Sequence, residues 1–399
     1  MLAGPVAAAA GTEGETATGL AQADPGPDGV VDVVQVSGWL DPVLVDFLTE
    51  AIEKAEAEDV EAVVVQLDSP GVLVDRADFD RLLDRVRGSS VPIAVWVGPT
   101  GSEARREAGE LVVAAPLAGL APRSAVEVDG RRLSAREAAD EGVTELNDRE
   151  SAVLGTFIAA LDGREAAGRT IETATFEERE GAPPDASLTV QTRLAKLELV
   201  PRLLHTAASP PIAYLLLVAG LALVVFELFT AGVGVAAGVA ILAFVLAGYG
   251  LDVLPTNPWG LALLALGTFG FAVDVQTGVP RVWTGIGLLS FVAGSLVLYR
   301  DPVSLGWLPL VGGVLGMVLL MLAGLPATVR SRFSTPTIGR ESMVGELGEV
   351  VADLQPQGVV RVRQALWPAR TNRATPLSVG DRVRVVGVVG AQLEVAPDT

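Results

Sequence analysis

Hydrophobic residues are concentrated in one long block in the second half of the chain. Between Pro211 and Leu325 the sequence is mostly Ala, Val, Leu, Gly, Ile and Phe, with short polar interruptions. A helix needs about 20 apolar residues to cross a bilayer, and a soluble protein would have to bury every side of such helices. The block therefore predicts a transmembrane bundle of five spans: Ile212–Phe229, Val233–Leu254, Trp259–Val275, Val282–Tyr299 and Leu305–Leu325.

The residues before this block show short apolar runs that alternate with helical patterns. The predicted strands are Val30–Val36, Ala62–Leu67, Ile93–Val97 and Leu111–Ala115, and the predicted helices are Asp41–Glu58, Arg76–Val86 and Ala104–Glu110. Strands that alternate with helices imply parallel pairing with right-handed crossovers. We therefore expect an α/β domain over residues 30–160, and a linker with a short juxtamembrane helix over residues 161–209. That helix is interpreted as a lead-in to the first span.

The residues after the block change character again. Five short β-rich runs, separated by Gly, Pro and Asn, lie within residues 340–399: Val344–Asp353, Val359–Leu366, Trp367–Thr371, Arg382–Val389 and Gln392–Val395. Five short antiparallel strands in so few residues predict a small all-β barrel of the OB type. Such barrels often bind nucleic acid through aromatic side chains. Trp367 is the one aromatic residue after Phe333, so protein–protein contact is the favoured interpretation.

Composition narrows the possible functions. The formal net charge is −19, which argues against a nucleic-acid partner because phosphate binding needs a basic surface. The chain has no cysteine, which excludes disulfides, thiolate catalysis and cysteine-bound metals. Its single histidine, His205, lies just before the first span and is expected to be an interfacial side chain. No cofactor or metal is expected.

The termini of the hydrophobic block predict its orientation. Arg330, Arg332 and Arg340 follow the last span and should be cytoplasmic. Five spans within residues 210–328 then place the N-terminal domain outside the cytoplasm of a multi-pass plasma-membrane protein, although Arg300 would lie on the less favoured side. Residues 1–29 fit either the remnant of a signal peptide or an Ala/Gly-rich tail that leads into a linker.

Several motifs together resemble a known family. Residues 38–42 (GWLDP), 63–75 (VVVQLDSPGVLVD) and 92–101 (PIAVWVGPTG) look like the Clp-protease-like domain of the long NfeD (nodulation formation efficiency D) membrane proteins. Residues 210–214 (PPIAY) resemble the first span of that family, and residues 345–348 (GELG), 366–369 (LWPA) and 380–386 (GDRVRVV) resemble its C-terminal domain. The resemblance implies a serine protease with a Ser–Lys dyad and partners of the stomatin and flotillin type.

The residues expected for that protease depart from the family pattern. The Gly-Gly turn that would supply oxyanion donors reads Pro70-Gly71-Val72, and the nucleophile motif Ser-Ala-Gly reads Glu107-Ala108-Gly109. Shifting the alignment by one residue would bring Arg106 to the nucleophile position. The chain has no lysine between Lys54 and Lys196, and a serine needs a neighbouring base to become a nucleophile.

Other residues offer weak substitutes for the missing dyad. Ser102 and Ser124 are candidate hydroxyls, and Glu107 or Glu110 could act as a base in principle, but no third group is evident to orient such a pair. Arginine cannot replace the lysine because it stays protonated. No catalytic residue is therefore assigned. The sequence predicts an inactive protease-like domain in a membrane scaffold, which contacts lipid and a stomatin- or flotillin-like partner and forms a homo-oligomer. The alternative is a membrane-bound serine protease that cleaves such a partner.

The hydrophobic block also contains an internal repeat. Residues 226–234 (FELFTAGVG) and residues 273–280 (VDVQTGVP) both place an acidic residue at a helix end, followed three positions later by Thr. The NfeD family repeats this pattern in the same way. Acidic residues in spans are candidates for ion pathways. Glu227 and Asp274 are instead expected to reach water or to cap backbone N–H groups of the following turn.

Overall fold

The computed structural model describes residues 29–177, 185–230, 234–277, 282–325, 327, 340–371 and 376–398 of the 399-residue chain. The chain divides into two compact units, Met1–Leu325 and Pro326–Thr399. Residues 1–28 of the predicted signal-peptide remnant and the arginines Arg330 and Arg332 lie outside the described residues.

The first unit begins with an α/β domain. Its strands are β1 (Gly29–Ser37), β2 (Ala62–Asp68), β3 (Ile93–Val97), β4 (Glu103–Ala104), β5 (Leu117–Leu120), β6 (Ala125–Val128), β7 (Arg131–Ser134), β8 (Glu165–Ala166), β9 (Arg169–Thr170), β10 (Ala174–Glu177), β11 (Asp185–Leu188) and β12 (Val190–Ala195). Its helices are α1 (Pro42–Glu58), α2 (Arg76–Arg87), α3 (Ala108–Ala114), α4 (Ala135–Asp140) and α5 (Leu154–Ala160).

A five-stranded parallel sheet organises this domain, with strand order β12-β1-β2-β3-β5. Its central strands are almost fully buried because apolar side chains cover both faces. Helix α1 begins where Asp41 caps it: Asp41 Oδ1 accepts a hydrogen bond from the Leu44 amide at 2.9 Å. The first three predicted strands and the first two predicted helices are found in the structure.

The predictions for residues 104–115 were wrong. Ala104 ends the short strand β4, the helix starts only at Ala108, and the apolar run predicted as a strand lies mostly within α3. The next strand is β5. A short apolar run cannot distinguish a buried helix from a buried strand, and here its apolar residues form the inward face of a helix.

The prediction of a linker over residues 161–209 was also wrong in its middle part. Strand β12 pairs in parallel with β1 and forms one edge of the central sheet. Leu161 and Ile171 are fully buried. The polar composition of these residues suggested a linker, but charged residues can lie in a sheet when they are paired. The Arg193 guanidinium donates two hydrogen bonds to buried Asp32 at 2.6 and 2.7 Å. The juxtamembrane helix expected within residues 161–209 begins only after this strand.

The hydrophobic block forms five apolar helices in the described residues: α7 (Pro210–Thr230), α8 (Val235–Val253), α9 (Pro258–Thr277), α10 (Val282–Leu296) and α11 (Trp307–Leu319), the last continued by a π-helical turn, Leu320–Gly324. Four of them are long and apolar enough to cross a membrane, and α10 is shorter. A separate helix, α6 (Leu199–Ala207), precedes α7, so residues 199–207 do not simply continue into the first span.

Polar caps connect the helices within two hairpins, α7–α8 and α9–α10. The Glu227 carboxylate accepts a hydrogen bond from the Gly234 amide at 2.9 Å, just before α8. Asp274 accepts from the amide and the hydroxyl of Thr284 at 2.7 and 2.8 Å, in the first turn of α10. The predicted capping by these two acidic residues is therefore confirmed.

Glycine allows close packing in the second hairpin. A Cβ atom at Gly287 would lie 3.0 Å from the Gly267 carbonyl oxygen, and one at Gly294 would lie 2.8 Å from the Leu264 amide nitrogen. Small residues at such positions let two helix backbones approach closely. Gly285, by contrast, has no neighbour of this kind within 4 Å.

The second unit contains a closed five-stranded barrel with strand order β13-β14-β15-β17-β16. The strands are β13 (Leu347–Ala352), β14 (Gln357–Val362), β15 (Ala365–Thr371), β16 (Arg382–Val389) and β17 (Gln392–Pro397). Alternate residues fill the interior, including Val350, Val360 and Val383. Trp367 packs partly buried against this core. The predicted small β-barrel is confirmed.

Candidate functional site

The carboxyl edge of the central sheet is the place where the resemblance puts the catalytic residues. We use this name for the segments that follow β1, β2 and β3, namely residues 37–41, 68–73 and 98–102, together with the turn that leads into α3. In parallel α/β sheets, functional loops gather at this end of the strands. The structure shows what each predicted site residue does there.

Gly71 occupies the turn expected to supply oxyanion donors, and its surroundings are filled. A Cβ atom on Gly71 would lie 2.9 Å from the Trp39 ring and 3.6 Å from both the Arg106 and Glu107 side chains. The Gly71 carbonyl accepts hydrogen bonds from the Leu40 amide at 3.0 Å and from the Ser69 hydroxyl, also at 3.0 Å. This turn is packed by a tryptophan ring and tied to the segment after β1.

Among the described residues, the two candidate nucleophiles, both on largely buried residues, have no base within hydrogen-bond reach. The Ser124 hydroxyl donates to the Pro99 carbonyl at 3.3 Å and accepts from the Gly101 amide at 3.2 Å, so it braces the loop after β3. The Ser102 hydroxyl has no hydrogen-bond partner among the described residues, and its side chain is 5% exposed. The structure does not bring either serine together with Glu107 or Glu110 through a hydrogen bond.

The candidate bases have other roles. Glu110 accepts two hydrogen bonds from the Arg76 guanidinium, at 2.6 and 2.7 Å. Glu107 directly precedes α3 and lines a cavity of about 540 Å³ beside that helix. Arg106, Glu110, Glu127 and Asp129 also line this cavity, whereas the two serines do not. The cavity is a charged surface depression in which the structure places neither candidate hydroxyl.

The two lysines of the chain lie elsewhere. Lys54 on α1 and Lys196 after β12 both line a cavity of about 680 Å³ between α1 and α6. Neither Ser102 nor Ser124 is among the residues that line it. A lysine base acts on a serine only within hydrogen-bond reach, about 3 Å. The carboxyl edge therefore lacks a hydroxyl–amine pair in the described structure.

The carboxyl edge instead contacts the hydrophobic block. Trp39 and Leu73 pack in one apolar cluster with Ala213 of α7, Leu254 after α8 and Val303 in the loop before α11. Arg106 donates from Nη1 to the Pro302 carbonyl in that same loop at 3.2 Å. Arg106 also has a positive φ of 54° and donates its amide to Glu127 Oε2 at 3.1 Å. The residues expected to form a catalytic cleft thus hold the domain against the helix bundle.

His205 forms a second, polar contact between these parts. Its Nδ1 lies 2.8 Å from Asp41 Oδ2, and its Nε2 lies 3.1 Å from the Ser37 carbonyl oxygen. A carbonyl and a carboxylate can only accept, so both contacts are hydrogen bonds when the ring is protonated and donates from both nitrogens. The hydrogen bond to Asp41 raises the pKa of His205, although burial opposes this.

This contact was missed at the level of sequence, where His205 was interpreted as an interfacial side chain. The Asp41 side chain is 1% exposed, and its second oxygen caps α1. The signal available in the sequence was the Asp-Pro pair at the start of α1, which predicts an N-cap with one carboxylate oxygen left over. Nothing in the local pattern indicated that a residue 164 positions later would bind that oxygen.

Two family models match separate parts of this chain. Residues 211–325 match the NfeD integral membrane domain, and residues 340–397 match the NfeD-like C-terminal, partner-binding domain. The membrane-bound protease PH1510 of Pyrococcus horikoshii is 24% identical over 410 residues, which cover 91% of this chain and 92% of the relative.

Two solved structures from the same organism are similar to separate parts of this chain. The 1510-N membrane protease specific for a stomatin homolog from Pyrococcus horikoshii aligns with 45% of this chain and 99% of its own, at 18% identity and a TM-score of 0.38. The C-terminal domain of stomatin operon partner protein 1510-C, from the same organism, aligns with 16% of this chain and 97% of its own, at 39% identity and a TM-score of 0.15. The chain is an integral membrane protein that carries both NfeD domains and is a homologue of a membrane-bound protease.

Proposed function

We propose that this protein is a membrane-anchored scaffold that partners a stomatin- or flotillin-like membrane protein, and that its α/β domain, of Clp-protease-like ancestry, is not catalytic. The observation that carries the proposal is the use of the carboxyl edge. The turn where a nucleophile would be expected presents Arg106 and Glu107, and Arg106 binds the loop before α11. Residues that hold two parts of a protein together in this way serve architecture rather than turnover.

The partner is inferred from homology. The C-terminal residues match a partner-binding domain, and the similar 1510-C protein is described as a stomatin operon partner. A role in membrane organisation or in quality control of membrane proteins follows if the barrel recruits such a protein. The proposal includes no cofactor, no metal and no nucleic acid.

The topology is part of the same proposal. If α10 also crosses the bilayer, the chain has five spans, and an odd number of spans places its two ends on opposite sides. Arg340 and the arginines that precede it would then be cytoplasmic by the positive-inside rule. The α/β domain would be extracytoplasmic in the plasma membrane. Open glycine faces such as Gly312 and Gly316 on α11 are compatible with assembly into a homo-oligomer.

An alternative function is a serine protease with a rearranged site. One observation favours it: Ser102, a residue only 5% exposed, lies at the carboxyl edge, and its hydroxyl has no hydrogen-bond partner among the described residues. A conformational change that brought Glu107 to this hydroxyl would create a candidate pair. The similar PH1510 protein of P. horikoshii is itself a membrane-bound protease.

Labelling with a fluorophosphonate separates the two functions. We expect the full-length protein in membranes to remain unlabelled under conditions in which the P. horikoshii protease is labelled. Labelling that disappears in Ser102→Ala or Ser124→Ala would establish the protease instead. The scaffold itself is tested by capture: the full-length protein should retain a stomatin-family protein of the same organism, and retention should require residues 340–399.

A further inference from the structure

The barrel has one outer face on which neighbouring strands align charged and apolar side chains in a row. The register pairs Arg382 of β16 with Glu349 of β13, Glu349 with Arg361 of β14, and Arg361 with Leu366 of β15. Directly paired residues point to the same side of a sheet, and all four are exposed. We call these four residues the outer row.

The charges of the outer row are not used within the barrel. Among the described residues, neither Arg361 nor Arg382 forms an ion pair, although Glu349 lies between them. The other arginines on the described strands and turns of the barrel differ: Arg363 binds Glu346, Arg370 binds Glu394 and Arg384 binds Asp398. Unpaired arginine side chains add no stabilising contact to the barrel, so the outer row is available to bind another molecule.

Apolar side chains extend the outer row into a surface. Leu366 is 59% exposed within the row, and Leu347, which is 52% exposed, lies beside it opposite Arg384. Val386 continues the exposed side of β16. Large apolar side chains that cluster at the surface beside arginine are typical of protein interfaces.

The pattern of the outer row selects one kind of partner. A nucleic acid would need aromatic side chains for stacking, and the barrel's tryptophan, Trp367, packs partly against the core. A uniformly anionic lipid surface would be repelled by Glu349 at the centre of the row. A polypeptide can place acidic side chains on the two arginines and apolar side chains on Leu366 and Leu347.

We propose that the outer row of the barrel binds an amphipathic helical segment of the partner protein, with acidic residues about 10 Å apart beside apolar residues. Arg361 and Arg382 are two strands apart, or about 10 Å at the usual strand spacing. Helix positions i and i+7 are separated by about 10.5 Å and lie on one face. This inference rests on the proposed function only for the identity of the partner, since the surface itself is defined by the barrel.

The test uses full-length protein in nanodiscs of neutral lipid and two probes. One probe is the purified stomatin-family protein. The other is a synthetic helical peptide with Glu at positions i and i+7 and Leu between them, together with a twin in which both Glu residues are replaced by Lys. We expect the wild type to bind the acidic peptide and the stomatin-family protein, more weakly as salt increases.

Charge reversal then identifies the surface. The double variant Arg361→Glu/Arg382→Glu should bind the acidic peptide at least tenfold more weakly and should gain affinity for the Lys twin. The matched control exchanges a paired charge elsewhere on the barrel, Arg370→Glu/Glu394→Arg, and should bind as the wild type does.

The outcomes are separable. If the wild type binds the peptide but not the stomatin-family protein, the proposed partner is wrong and the surface stands. If the wild type does not bind the peptide, or the double variant binds it unchanged, the surface proposal is overturned. Stronger retention on vesicles with phosphatidylglycerol than on the peptide, lost in the double variant, would assign the face to lipid and also overturn the proposal.

Discussion

The carboxyl edge of the α/β domain and the outer row of the barrel use their charged residues in opposite ways. At the carboxyl edge, Arg106 is bound to a loop of the helix bundle, and beside it in α3 Glu110 is bound by Arg76. On the outer row, Arg361 and Arg382 have no ion-pair partner among the described residues. The arginine at the carboxyl edge is held within the molecule, and the two arginines of the outer row are available to an external group.

The difference indicates where each region acts. A group that is already hydrogen-bonded contributes to position and stability, while binding a new molecule would require breaking those contacts. An exposed arginine beside apolar side chains has no such cost. We therefore expect substitutions at the carboxyl edge to change stability and leave partner capture intact, and substitutions on the outer row to do the reverse. Substitutions in the α/β domain and at its contact with α6 test that division.

The largest expected effect is at Gly109, in the first turn of α3. A Cβ atom there would lie 1.8 Å from the Glu127 carbonyl oxygen, so α3 could not keep its contact with β6. Gly109→Ala should destabilise the α/β domain by about 3 kcal/mol. The measurement is the urea concentration at which the domain becomes sensitive to a short protease pulse.

Gly155 on α5 provides the matched control. It has no neighbour of this kind within 4 Å and no positive φ, so Gly155→Ala should change stability little or increase it by up to about 1 kcal/mol. Equal urea midpoints for the two variants would contradict the packing at α3. Both proteins should retain the stomatin-family partner as the wild type does, provided that the chain remains folded.

The second prediction concerns the pH dependence of the contact between His205 and Asp41. The pKa of His205 is raised in the folded protein. Its stabilisation is therefore complete below the unfolded value of about 6.5, and it is lost as the pH rises through the higher folded value. Charge-assisted hydrogen bonds of this kind contribute about 2 kcal/mol. The hydrogen-exchange protection factors of the α6 amides, which correct for the intrinsic rise of exchange with pH, should fall across that pH window.

Two variants isolate this contact. His205→Gln should remove the pH dependence, and no other histidine exists in the chain to replace it. Asp41→Asn keeps a good N-cap for α1 but removes the charge, and it should also flatten the profile. An unchanged profile in both variants would show that the imidazolium does not hold α6 against the domain. Capture through the barrel should not follow this pH profile.

Much of the architecture could be predicted because its signals are local. Apolar length indicated the membrane helices, and spaced β-rich runs indicated the barrel. The acidic residues Glu227 and Asp274 were recognised as caps because each precedes the next helix by only a few residues. In these cases the residues that contact each other in the structure are also close together in the sequence.

The failures involve contacts between distant residues. Strand β12 was interpreted as linker because its polar residues gave no apolar run, and its partner β1 lies about 160 positions earlier in the chain. His205 and Asp41 are separated in the same way. At the candidate site, the sequence indicated a missing nucleophile and base, but it could not indicate that Trp39 and Arg106 dock this edge onto the helix bundle.

The smallest predicted effect distinguishes a structural hydroxyl from a catalytic one. Ser124 joins the Pro99 carbonyl to the Gly101 amide, so Ser124→Ala should lower stability by about 1 kcal/mol through loss of these two loop contacts. Ser102→Ala removes a hydroxyl without a partner among the described residues and should change stability by less. If Ser102→Ala were instead the more damaging change, or if it alone altered fluorophosphonate labelling, Ser102 would have a partner that forms only in another conformation. The carboxyl edge would then resemble the outer row, because it too would contain a polar group that is available for function. The contrast between the two regions would no longer hold.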